Sequence, residues 1–110
     1  MKIDEFLLQE MVREIVREVD PTRILLFGSR STNTHRADSD IDLLIVEETP
    51  FGPHHSRRAE ATRLWKVLSR FRVAKDILVF SEEEFTRLGE VFDHVVWHAL
   101  REGKRLYERL

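Results

Sequence analysis

Leu25-Leu26-Phe27-Gly28-Ser29, followed ten residues later by Asp40-Ile41-Asp42-Leu43-Leu44-Ile45-Val46, is the stretch on which the fold turns. Each apolar run is too short for a helix and is bounded by turn-forming or charged residues, so both read as buried strands. A third run, Ile77–Phe80, completes a strand over Val73–Phe80. Gly28 and Ser29 leave the first strand, Asp40 and Asp42 open the second, and Asp76 opens the third. With strands one and two antiparallel and strands two and three parallel, all five residues meet at one edge of a sheet. Acidic residues are disfavoured in strands, and two strands that open on acids at the same edge ask for a chemical reason.

The flanking pattern supplies the helices. Asp4 caps a helix whose apolar stripe is Leu8, Met11, Val12, Ile15 and Val19, and Asp20-Pro21 ends it. The polar stretch Ser29–Ser39 reads as a turn or short helix, and Thr49–Pro53 as a loop. A second long helix is expected over Ser56–Phe71, with Ala61, Leu64, Trp65, Leu68 and Phe71 on one side and Trp65 and Trp97 in the core. Ser81 and Glu84 form a capping box for a short helix to Leu88. A last helix fits Val91–Arg101, with Val91, Val95 and Leu100 facing inward and Gly103 as its stop. Lys104–Tyr107 fits either an edge strand or a helical tail. The expected class is α/β: a small mixed sheet of three to four strands, order 1-2-3, with packed helices, in one domain over residues 1–110.

Composition narrows the function. The chain has 110 residues, with Lys+Arg 18 against Asp+Glu 20 and a formal charge of −2. A protein that lives by non-specific phosphate contact is more basic, so direct nucleic-acid binding is not expected. The absence of cysteine excludes disulfides, thiol catalysis and cysteine-based zinc sites. No apolar run exceeds four residues, against the roughly twenty of a membrane span, and the acidic start lacks a signal-peptide pattern. A cytoplasmic protein is expected.

Asp40 and Asp42 stand at i and i+2, so their carboxylates leave the same face, about 6–7 Å apart along the chain. With Asp76 from the neighbouring strand they repel unless cations neutralise them. Hard oxygen donors suit a pair of Mg²⁺ ions, with Mn²⁺ as the alternative, and two such ions clamp a phosphoryl group during in-line displacement. Gly28 and Ser29 offer backbone N–H groups and a hydroxyl to phosphates, and Arg30 a further phosphate contact. Other features read more plainly. His94 and His98 are spaced i, i+4 but lack a third metal ligand, and His54 and His55 are expected at the surface of a loop. Arg57, Arg58, Arg63, Lys66, Arg70, Arg72 and Lys75, against Glu60 alone, read as a solvated face, or otherwise as a surface for an acidic partner, RNA or a triphosphate.

The Gly28-Ser29/Asp40-Ile41-Asp42 arrangement resembles the signature of DNA polymerase β-type nucleotidyltransferases. Ala74-Lys75-Asp76-Ile77-Leu78-Val79 is similar to that family's third-carboxylate strand, and Leu100–Glu108 to the closing segment of its minimal members. The resemblance implies transfer of a nucleoside monophosphate from an NTP to a hydroxyl with release of pyrophosphate. Asp40 and Asp42 would hold two metal ions, Asp76 would bind one and help deprotonate the acceptor, and Gly28 and Ser29 would grip the β- and γ-phosphates. Small free-standing members are often antitoxins of HEPN-domain ribonuclease toxins. The resemblance therefore implies ATP as donor, a toxin tyrosine as acceptor and a hetero-oligomeric partner. Transfer to RNA or a small molecule, and non-catalytic neutralisation by binding, are the alternatives.

Overall fold

The computed structural model describes residues 4–28 and 40–109. Its elements run α1 (Glu5–Val19), β1 (Arg23–Phe27), β2 (Ile41–Glu47), α2 (Arg57–Leu68), β3 (Lys75–Ser81), α3 (Glu82–Leu88), α4 (Val95–Glu102) and β4 (Lys104–Glu108). The sheet order is β3-β2-β1-β4. The first three strands are neighbours as expected, and Lys104–Tyr107, open in the sequence between strand and helix, falls in a fourth strand outside β1. β1 pairs antiparallel with both β2 and β4, while β2 and β3 run parallel.

Strand alternation divides the core into two layers. Ile24, Leu26, Ile41, Leu43 and Ile45 face α1 and α2, where Leu7, Leu8, Met11, Ile15, Leu64 and Leu68 meet them. Leu25, Leu44 and Val46 face Phe85 of α3 and Val96 and Ala99 of α4. β2, at the centre, is buried on both sides, which explains its nearly unbroken apolar run.

Helix ends follow local chemistry. Asp4 Oδ1 accepts the Leu7 N–H at 2.9 Å, and α1 ends at Asp20 in the left-handed region (φ 46°), whose N–H returns to the Val16 carbonyl. Ser81 and Glu84 form the expected capping box of α3. Several sequence expectations need correction. α2 stops at Leu68, short of the expected Phe71, although Phe71 is buried beyond it. Its buried stripe follows Leu64 and Leu68, so Trp65, about 100° further round the helix, is 44% exposed. The last helix begins at Val95: Asp93 takes φ 68°, and His94 caps the helix by accepting the Val96 N–H on Nδ1 at 3.1 Å. This start turns Val96 and Ala99 inward and leaves Val91 and Leu100 each 47% exposed. The third strand also begins two residues later than expected, at Lys75.

Candidate active site

Register brings together residues far apart in sequence. Phe27 lies opposite Asp42 across the antiparallel β1–β2 pair, and Asp42 lies opposite Asp76 across the parallel β2–β3 pair. The Ile41 N–H donates to the Ala74 carbonyl at 2.9 Å, fixing the start of β2 against the approach to β3. Asp42 and Asp76 therefore leave the same sheet face, the one that α3 and α4 cover further along. Asp40, exposed, immediately precedes β2.

Gly28 is fitted to this edge in two ways. Its φ is +74°, a region that costs an L-residue roughly 1–2 kcal/mol. A Cβ built there would also overlap Asp42 Oδ2 and approach Asp42 Cγ to 3.3 Å. The missing side chain is thus the space the Asp42 carboxylate occupies. Ser29 and Arg30, expected beside it as phosphate contacts, lie outside the described residues, as does the whole Ser29–Ser39 turn or short helix.

Lys75, next to Asp76, points to the other side. It is buried, and its ammonium donates to the Phe71 and Val73 carbonyls at 3.0 and 3.1 Å, with its pKa lowered by burial. It ties down the turn that delivers Asp76. Asp42 and Asp76 at paired strand positions, with Asp40 just before β2, offer hard oxygen donors of the kind Mg²⁺ or Mn²⁺ takes, so the donor chemistry suits such ions.

Most of the basic segment has structural work. Arg57 donates to the Val79 carbonyl at 2.7 Å and pairs with Glu84, holding the Glu84 carboxyl below its usual range. Arg63 bonds Glu18 and Glu60, and Arg70 bonds Glu14. His94 and His98 do not form a ligand pair: the first is a helix cap, and the second bonds Asp93 at 2.7 Å, which raises its pKa.

Sequence reasoning passed over a second cluster. His55, expected at the surface, is half-buried, with Nε2 3.4 Å from Glu47 Oε1 and 3.9 Å from Glu60 Oε2. Burial, and then the neighbouring Glu60 carboxyl, push the Glu47 pKa up to about 7 against the pull of His55. The signals were an acid ending a strand buried on both faces and a single acid within a basic helix.

Residues 8–108 match the model of the nucleotidyltransferase domain. Among curated proteins none matches the chain. Similar solved structures include a protein from Sulfolobus solfataricus assigned to the nucleotidyltransferases, at 23% identity and TM-score 0.61, covering 94% of this chain and 79% of that one. A chain of a toxin–antitoxin complex with AMP-PNP is 21% identical with TM-score 0.57, covering 92% and 73%. A chain from the Shewanella oneidensis complex of a tri-AMPylated HEPN toxin with its MNT antitoxin is 19% identical with TM-score 0.52, covering 96% and 74%. The family match spans nearly all of the sheet and helices that assemble the carboxylate edge, and the chain accordingly belongs to the nucleotidyltransferase domain family.

Proposed function

We propose that the chain transfers AMP from ATP to a hydroxyl, a tyrosine of a HEPN-type ribonuclease toxin, and acts in this way as an antitoxin in the cytoplasm. The observation that carries the reading is the register that sets Asp42 beside Asp76 with Gly28 against its carboxylate. A chain that only occluded its partner would have no physical need for that cluster. The toxin–antitoxin complexes among its structural neighbours, one with AMP-PNP and one with a tri-AMPylated toxin, support the donor and the acceptor class.

Asp40, Asp42 and Asp76 would hold two Mg²⁺ ions, which neutralise phosphate charge and polarise the α-phosphorus when bound. Gly28, Ser29 and Arg30 would contact the β- and γ-phosphates. Asp76, the outermost carboxylate, accepts the proton of the attacking hydroxyl. The hydroxyl oxygen bonds the α-phosphorus, the α–β bridging bond breaks, and pyrophosphate leaves. Residues 1–110 act as one domain in this scheme, and the partner supplies the acceptor wall. Val91, Phe92 and Leu100, exposed on the α3–α4 segment over the same sheet face, suit such a docking. Among the described residues no helix is long and apolar enough to cross a membrane.

The test supplies labelled ATP, Mg²⁺ and a HEPN partner. Adenylate transfer falling at least about 100-fold in Asp40→Asn and Asp42→Asn, of the size typical for lost transition-state electrostatics, is expected. Equal neutralisation of the toxin by the wild type and both variants would refute catalysis in favour of occlusion.

A further inference from the structure

Glu47, His55 and Glu60 meet at the end of the sheet remote from the carboxylate edge. Glu47 lies five residues past Asp42 along β2, about 16 Å away, and faces the opposite side, where α2 packs. One donor atom from each of the three residues lies within 4.8 Å of the other two. A tetrahedral shell of Zn²⁺ bonded at its usual distances sets its donors roughly 3.3 Å apart. The 3.4 Å and 3.9 Å separations from His55 Nε2 are already near that spacing.

Each donor is also held from behind. His55 Nδ1 lies 3.2 Å from the Pro50 carbonyl; donating its proton there, it leaves the Nε2 lone pair facing the two carboxylates. Phe51 stacks on the imidazole at 4.6 Å, and reciprocal Gly52–His55 backbone hydrogen bonds close the turn that presents it. Glu60 Oε1 accepts from Arg63 at 2.8 Å, leaving Oε2 for the cluster. Outer contacts of this kind accompany ligating histidines and carboxylates.

An independent observation points to a cation. The Glu47 side chain is only 7% exposed, and Oε2 of the carboxylate that faces His55 is buried with no hydrogen-bond partner among the described residues. A second buried carboxylate, Glu60, stands beside it. Burying an acceptor unpaired is costly, and burying two like charges together more so. A divalent cation relieves both.

We infer that Glu47, His55 and Glu60 form a second metal site, distinct from the carboxylate edge, for a borderline divalent cation of the Zn²⁺ type. One imidazole nitrogen and two carboxylate oxygens suit Zn²⁺ better than Mg²⁺, and the fourth position is left to water. The ion joins the end of β2, the Pro50–His55 loop and the first turn of α2, so its role is to brace the loop against the sheet.

The test is calorimetric titration of Zn²⁺ into the full chain carrying Asp42→Asn and Asp76→Asn, which silence the carboxylate edge. One equivalent is expected, retained against about a 100-fold excess of Mg²⁺. Adding Glu47→Gln should weaken it by more than about 100-fold, beyond the 10–100-fold of outer-shell changes. Glu47→Gln keeps the shape of the site and removes the buried repulsion, so its metal-free melting temperature should equal or exceed its background's. His55→Ala is the second variant and should behave likewise toward Zn²⁺. Failure to bind one equivalent, displacement by Mg²⁺, or equal uptake by the Glu47→Gln and His55→Ala chains would each overturn the site.

Discussion

Replacing Gly28 by alanine separates backbone strain from carboxylate placement. At φ +74° an L-residue costs roughly 1–2 kcal/mol. In a domain near this size each kcal/mol lowers Tm by roughly 4–8 °C, so a fall of about 4–16 °C is expected from the backbone alone. The new Cβ would overlap Asp42 Oδ2, so the carboxylate must retreat by about an ångström, a displacement that can cost a catalytic group 100-fold. Gly28→Ala should therefore lose both stability and adenylate transfer, with transfer falling by about two orders of magnitude even well below its melting temperature. Gly52→Ala is the control, because a Cβ there meets nothing within 4 Å and the backbone is not left-handed; its stability should stay within about 0.5 kcal/mol of wild type. Thermal melts of both variants are read beside the initial rate of label transfer from ATP to the partner. A Gly28→Ala chain that melts early but transfers adenylate within about twofold of wild type, far from the 100-fold expected, would refute the link between this glycine and the position of Asp42.

Two further outcomes are expected. Phe92, 78% exposed with its ring edge-on to Trp97 at 5.0 Å, should anchor the partner: Phe92→Asp should weaken the complex by about tenfold or more, and an unchanged Kd by calorimetry would remove this surface from the interface. The pairing of Glu84 with Arg57 depresses the Glu84 pKa below 4.5, so its stabilisation is fully present above that pH and is lost as the pH falls through the depressed value. Glu84→Gln keeps an acceptor for the Ser81 N–H but loses the ion pair; the Tm gap between wild type and variant should shrink as the pH drops from about 6 to 3, and a gap independent of pH would contradict the assignment.

The juxtaposition of Gly28, Asp42 and Asp76 was legible because three short apolar runs carry these residues at their ends. Once β1–β2 is antiparallel and β2–β3 parallel, Gly28, Asp42 and Asp76 have to meet, and no side-chain detail is needed. Local rules also located the α1 cap at Asp4 and the α3 capping box at Ser81 and Glu84. What stayed hidden depended on packing. The phase of the last helix is set by the left-handed Asp93, a turn that spacing does not show, and the expected inward Leu100 yields to Val96 and Ala99. Trp65 looks like core by hydropathy, yet lies beside the stripe and carries the Lys75 ammonium 5.4 Å above its ring. Glu47 has the charge of a surface residue, and only the central position of β2 buries it.

β1 completes its hydrogen bonding with a strand that arrives last. Arg23 and Glu108, opposite each other in the β1–β4 pair, are 85 residues apart. During synthesis β1 can find β2 early, but its other edge stays unpaired until residues 104–108 leave the ribosome. An unpaired edge is a template for any extended segment nearby, and pairing over such separation is slow to form. The nascent chain therefore passes through a period with its carboxylate strands assembled on one side and an adhesive edge on the other, during which a partner made in the same place, or a chaperone, could meet it.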